Sequence, residues 1–190
     1  HILTDLRKKI SDKLNVPPYV VFQEPTLEDM CTFYPITLDE LKTMKGVGEG
    51  KAKRYGKEFV DVIKKYVEEN DIERPEDIRV RSKANKSKLK ISIIKAIDHK
   101  VDLDSIAESD HLSFDELLEE LEAIVYSGTK LNINYHLNEI MDDDHVDDIF
   151  QYFMESETDN MHEALEELGS EYTEDEIRLV RIKFTSELAN

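Results

Sequence analysis

"TMKGVGEGKAKRYGKEF", residues 43–59, places three glycines within five positions and follows them with Lys51, Lys53, Arg54 and Lys57. A phosphate-binding loop of the form G-x-x-x-x-G-K-[ST] wraps backbone amides around phosphates and puts a hydroxyl on magnesium. Taking Gly50-Lys51 as its G-K pair leaves Lys45 where the first glycine belongs and Ala52 where the hydroxyl belongs. The dinucleotide fingerprint also fails, because no parallel strand precedes the glycines and Lys51 occupies the third glycine position. What remains is helix, Gly46-Val47-Gly48, helix. Such a hairpin either turns a corner or offers the amides of its second helix to a DNA phosphate. Spacing alone leaves both readings open, and Glu49 opposes a phosphate at this spot.

Working outward, helical spacing dominates. Leu3, Leu6, Ile10 and Leu14 recur on one face, and Val16-Pro17-Pro18 ends that helix. Thr26 is a suitable N-cap for a second helix with Leu27, Met30, Cys31 and Tyr34 on one face, which makes Cys31 a core residue rather than a nucleophile. Thr37 and Glu40 form a capping box for a short third helix. Ala52, Tyr55, Phe59, Val62, Ile63, Tyr66 and Val67 trace one face of a long fourth. Residues 1–70 therefore read as a compact helical bundle. Residues 71–88, with Pro75 and "RVRSKANKSKLK", read as a basic linker entering the next helix. Residues 89–190 form a second helical domain. In it "VDLDSIAESDHLSFDELLEELEAIVYSG", residues 101–128, gives a short helix, a tight turn, and a longer helix capped by Ser113 with Glu116. "KLNINY", residues 130–135, alternates as a strand does and suggests a wing or small hairpin. Further helices are expected near 144–156 and 161–168, with Gly169 as a stop, and over a last segment capped by Thr173 with Glu176.

Beginning at His1, the 190-residue sequence is expected to be part of a longer chain. A single cysteine excludes an internal disulfide and suits a reducing compartment. No apolar run approaches the ~20 residues of a membrane span, and nothing resembles a signal peptide. The formal charge of -18 conceals an asymmetry, with nets of 0 for residues 1–70, +4 for 71–100 and -22 for 101–190. Phosphates respond to charge within about a Debye length, ~8 Å at physiological salt, so each segment must be judged separately.

"LRKKISDKLNVPPYVVFQEPTLEDMCTFYPITLDELKTMKGVGEGKAKRYGKEFVDVI", residues 6–63, resembles an HRDC domain. The resemblance rests on Val16-Pro17-Pro18-Tyr19, Phe22, Thr26-Leu27, Pro35, Gly46-Val47-Gly48, Lys51 and Tyr55-Gly56. It implies a bundle that helps RecQ-type helicases engage single-stranded or branched DNA. In DNA-binding members the aromatic after the two prolines, here Tyr19, lies by a basic patch where it stacks a base. Lys51, Lys53, Arg54 and Lys57, then Arg7, Lys8, Lys9 and Lys13, are the cations expected beside it. The alternative is a solvated face in which Asp5 pairs with Lys9 and Asp61 with Lys57. Residues 86–186 are similar to the helix-turn-helix domain that follows HRDC at the C-terminus of some bacterial RecQ-like helicases. The turn carries Asp110-His111 where glycine is more usual. Its second helix presents Asp115, Glu116, Glu119, Glu120 and Glu122, which repel phosphates.

No catalytic centre is found. "DDDHVDD", residues 142–148, lacks the glycine and terminal glutamate of a calcium loop, and the histidines show no pair at helical ligand spacing, so neither metal nor cofactor is expected. The resemblance implies the non-catalytic C-terminal region of a bacterial, cytoplasmic RecQ-type helicase at the nucleoid, with an ATPase motor upstream as one partner. The HRDC domain would bind single-stranded or branched DNA weakly and assist that motor in repair or recombination. The acidic domain would meet a protein. Two alternatives stand beside this: a protein-interaction module with little DNA binding, and the HRDC of a ribonuclease D-like protein.

Overall fold

The computed structural model describes residues 1–74 and 84–189, with the side chains of 84–87 and 189 excluded. The greater part of the expected linker, 75–83, lies outside the described residues. The chain divides into two compact units, the first holding His1–Ser82 and the second Lys83–Val125 with Thr129–Leu188. The described residues are helical and contain no strand.

The first unit contains α1 (Ile2–Leu14), α2 (Pro18–Val21), α3 (Glu24–Phe33), α4 (Leu38–Leu41) and α5 (Glu49–Glu69). Asn15, in the left-handed conformation, closes α1, and Pro17-Pro18 fix the backbone for the single turn of α2. That turn is an element the spacing of apolar residues did not predict. Tyr19, Val20 and Val21 are buried in it, as is Phe22 immediately after it. Phe22 stands edge-on to Tyr55 and Phe59 of α5, with centroids 6.0 and 4.9 Å apart, and anchors a core shared with Leu3, Ile10, Leu27, Met30, Leu41 and Val47.

Two local expectations are corrected in α3. The helix begins at Glu24 with Gln23 as its N-cap, so Thr26 lies within the first turn. Cys31 is exposed, because the buried arc of α3 centres on Thr26, Leu27 and Met30, on the other side of Leu27 from Cys31. The capping box at α4 is present in part, with Glu40 N donating to Thr37 Oγ1 at 3.2 Å. Beyond α5, Arg74 donates to the Tyr34 carbonyl and to Glu40, tying residues 71–74 back onto this unit.

The second unit contains α6 (Ala84–Asp98), α7 (Leu103–Ser109), α8 (Phe114–Tyr126), α9 (Asn134–Ile140), α10 (Asp143–Glu155), α11 (Met161–Leu168) and α12 (Glu174–Ala189). Its most enclosed element is α12. From Ile177 to Ser186 every side chain but Lys183 is buried, as expected of a helix surrounded by others. Phe150 and Phe153 of α10 pack on Phe184, with centroids 5.0 and 5.9 Å away.

The expected strand at "KLNINY" does not form. Leu131 N donates to Ser186 Oγ at 2.8 Å, and that hydroxyl donates to Leu131 O at 2.6 Å. A helix side chain thus satisfies the backbone groups that a partner strand would have paired, and Asn134 already begins α9. No wing is found among the described residues.

Candidate nucleic-acid interface

The glycine turn is positioned by α3. Thr26 Oγ1 donates to the Lys45 carbonyl at 2.7 Å, and Lys45 N donates to Asp29 Oδ2 at 2.8 Å, so the residue before Gly46 is held through both backbone groups. Gly46 then takes φ +72°, a conformation that disfavours a side chain, and a Cβ there would stand 3.3 Å from Thr26 Oγ1. Val47 turns inward and is 2% exposed. The hairpin expected from Gly46-Val47-Gly48 is formed, and α5 starts immediately after it.

Helical geometry sorts the cations of α5. Lys51, Tyr55 and Phe59 are spaced by four, and all three are buried. Lys51 Nζ lies 5.9 Å from the Phe22 ring centroid. Its place on the apolar stripe removes it from the exposed row to which its position after the glycines assigned it. Lys53, Arg54 and Lys57 occupy the opposite face and are exposed. Lys53 pairs with Glu49 at 3.3 Å and Lys57 with Asp61 at 2.7 Å, each one helical turn away. Glu49 also meets Lys42 at 2.7 Å, and its hydrogen bonds to Lys42 and then Lys53 hold its carboxyl below the usual range. Arg54 lays its guanidinium 5.4 Å from the Tyr55 centroid. The Tyr55 hydroxyl is buried without a hydrogen-bond partner, and burial pushes the phenol up against the opposing influence of Arg54.

The remaining candidates separate in the same way. On α1, Lys8, Lys9 and Lys13 are exposed. Arg7 is instead drawn inward, donating to the Phe22 carbonyl and to Glu24 at 2.9 Å each, which ties α1 to the α2–α3 junction. Tyr19, expected as an exposed stacking platform, is 6% exposed. Successive side chains in a helix turn point about 100° apart, so burial of Tyr19, Val20 and Val21 in a row leaves none of them facing water.

In the second unit the turn between α7 and α8 is formed as expected. His111 adopts φ +58° where a glycine is more usual, and Leu112 N returns to Ala107 O at 2.8 Å. Ser113 and Glu116 complete the capping box, at 2.8 and 3.1 Å. The acids of α8 do not form one outward row. Glu122 accepts from Arg178 Nε at 3.0 Å and from Arg181 Nη2 at 2.7 Å, and Asp115 accepts from Arg178 Nη1. Burial opposes the charge on Arg178, but the hydrogen bonds of Glu122 and Asp115 outweigh it and hold its pKa above the ordinary range. Two of the four cations after residue 100 are thus internal, and a third, Lys183, pairs with Glu187. One cluster escaped the sequence reading. Donor atoms of Asp102, His136 and Glu139 lie within 4.8 Å of one another. Only His136 and Glu139 are close in sequence, and no recognised motif joins them to Asp102.

A helical bundle with a glycine-turned hairpin, followed by a helix-turn-helix pair, defines the class. Residues 1–63 match the family of the HRDC domain, and residues 87–137 match that of the RecQ-1-like, helix-turn-helix domain. The chain therefore carries an HRDC domain followed by a RecQ-1-like helix-turn-helix domain. It is 41% identical over 61 residues to the ATP-dependent DNA helicase RecQ of Haemophilus influenzae, covering 32% of this chain and 10% of that protein. It is 42% identical over 66 residues to the RecQ of Bacillus subtilis, covering 35% and 11%. The bifunctional 3'-5' exonuclease/ATP-dependent helicase WRN of Mus musculus is 38% identical over 50 residues, covering 26% of this chain and 4% of that protein. The matches thus span about a tenth or less of these relatives. No described helix is long and apolar enough to cross a membrane.

Proposed function

We propose that this chain is the non-catalytic C-terminal region of a RecQ-type DNA helicase, and that its HRDC domain holds single-stranded or branched DNA for an ATP-driven motor elsewhere in the protein. The observation that supports this reading is the exposed row Lys53, Arg54 and Lys57 on α5, carried by a domain whose relatives are helicases. A phosphate competes for Lys53 and Lys57 only against exposed carboxylates one turn away, a weak restraint. Arg54 is already stacked on an aromatic ring and presents a planar donor fork to a backbone. Lys8, Lys9 and Lys13 on α1 are secondary contacts in this reading. Repair and recombination at the bacterial nucleoid would follow from the motor's action on DNA.

The test is fluorescence anisotropy of a labelled single-stranded oligonucleotide over a range of salt. Neutralising all three α5 cations should weaken binding at least tenfold and reduce the slope of log K against log salt by about 2, as expected for three phosphate contacts on a single strand. An unchanged slope would reject the α5 face. A second reading makes the helix-turn-helix unit a protein-binding module. It is supported by the use of Arg178 and Arg181 inside the unit, which leaves its surface strongly acidic.

A further inference from the structure

The start of α7 and the body of α9 bring together three donors on which the DNA reading does not draw. Asp102 is the N-cap of α7, and its two oxygens have separate tasks: Oδ2 accepts from Ser105 N at 3.2 Å, while Oδ1 faces His136 Nδ1 at 3.6 Å. His136 is 5% exposed and packed beside the Phe114 ring, and its Nδ1 has no hydrogen-bond partner. A buried imidazole nitrogen without a partner loses the water it gave up on folding and gains nothing in return. Glu139, one turn further along α9, adds an exposed carboxylate to the group.

The 3.6 Å separation is too long for a hydrogen bond. It does match the edge of a tetrahedral metal site, where two ligands each ~2.1 Å from zinc stand roughly 3.4 Å apart. Tyr135 donates to the Val101 carbonyl at 2.6 Å, so α9 already meets the residue before the α7 cap.

We propose that Asp102, His136 and Glu139 form a binding site for a divalent transition metal, with zinc the best fit to one imidazole and two carboxylates. The imidazole selects against magnesium and calcium, which prefer all-oxygen shells. Bound there, the ion pins the first turn of α7 to α9, and so fixes the entry to the helix-turn-helix pair.

The experiment titrates the full chain with zinc chloride against a chromophoric chelator, alongside thermal melting. One equivalent of zinc should bind, and it should raise the melting temperature. Glu139→Gln, an exposed change that leaves the fold intact, should weaken that binding at least tenfold and abolish the thermal shift, and His136→Gln should do the same. Equal uptake by wild type and Glu139→Gln would place the metal elsewhere and overturn the proposal. So would the absence of zinc binding by wild type, or magnesium binding as tightly as zinc.

Discussion

The paired lysines of α5 and the arginines of α12 are held in opposite ways. On α5, Lys53 and Lys57 reach carboxylates on their own helix, and both partners of each pair are largely in water. On α12, Arg178 and Arg181 reach Glu122 and Asp115, which lie 56 to 63 residues earlier, with arginine side-chain exposures of 9% and 11%. An exposed pair along one helix hardly affects the fold and yields its cation readily to a phosphate. Two desolvated arginines sharing Glu122 cannot lose that carboxylate without leaving a charge stranded. Net charge along the sequence does not show this difference. The scarce arginines of the acidic unit serve its interior, whereas the first unit turns Lys51 and Arg7 inward and leaves Lys53, Arg54 and Lys57 outside.

The strongest test of this contrast is Glu122→Ala. It leaves two largely buried guanidinium groups short of their shared acceptor, and the second unit should lose about 3 kcal/mol, near the lower end for breaking a buried pair. The reading is a lower urea midpoint for that unit at unchanged slope. A shift no larger than that of an exposed pair would erase the distinction between the units.

Ser186→Ala should rank next. It removes the hydroxyl that serves both backbone groups of Leu131 and leaves a buried donor and acceptor unsatisfied, at a cost of about 2 kcal/mol. The same urea melts measure it. Amide exchange at Leu131 should speed up in the variant.

The two hairpin turns form a matched pair for a smaller effect. Gly46 and His111 both take positive φ, but only one of them is a glycine. Gly46→Ala should cost about 1 kcal/mol through its backbone and through the contact with Thr26 Oγ1, while His111→Gly should stabilise its unit by about 0.5 kcal/mol. Opposite signs in thermal melts of the two variants are the expected result.

What the sequence disclosed followed from local physics. The Ser113–Glu116 box, the stop after α1, the Gly46 hairpin and most of the helix faces depend on neighbours within a few residues, and they are found where the spacing places them. The misreadings concern residues whose environment is set from far away. "KLNINY" has the alternation of a strand, but its backbone partner is Ser186, 55 residues from Leu131. Cys31 sits at the margin of a helical arc whose centre depends on what packs against it. Lys51 is the exception, since its spacing of four and eight to Tyr55 and Phe59 already put it on the buried stripe. There the charge of the residue outweighed its position. Among the candidate contacts, the sequence located the cations, and helical phase then separated Lys53, Arg54 and Lys57 from Lys51.

The smallest change bears most directly on DNA. Lys57 is 82% exposed and Asp61 60%, and their hydrogen bond raises the lysine's pKa without burying either group. Asp61→Asn should therefore leave the urea midpoint of the first unit where it is. It also removes a negative charge beside the proposed phosphate track and frees Lys57 from the carboxylate it bonds. Single-strand affinity should rise roughly twofold at low salt, and the gain should fade as salt is added, because both charges are screened within a Debye length. Anisotropy titrations of wild type and variant at two salt concentrations measure this. If Asp61→Asn destabilised the unit, the Lys57 pair would be structural after all, and the contrast with Arg178 would narrow. If it left both stability and affinity unchanged, phosphates would not pass this part of α5, and the α1 lysines would become the face to test.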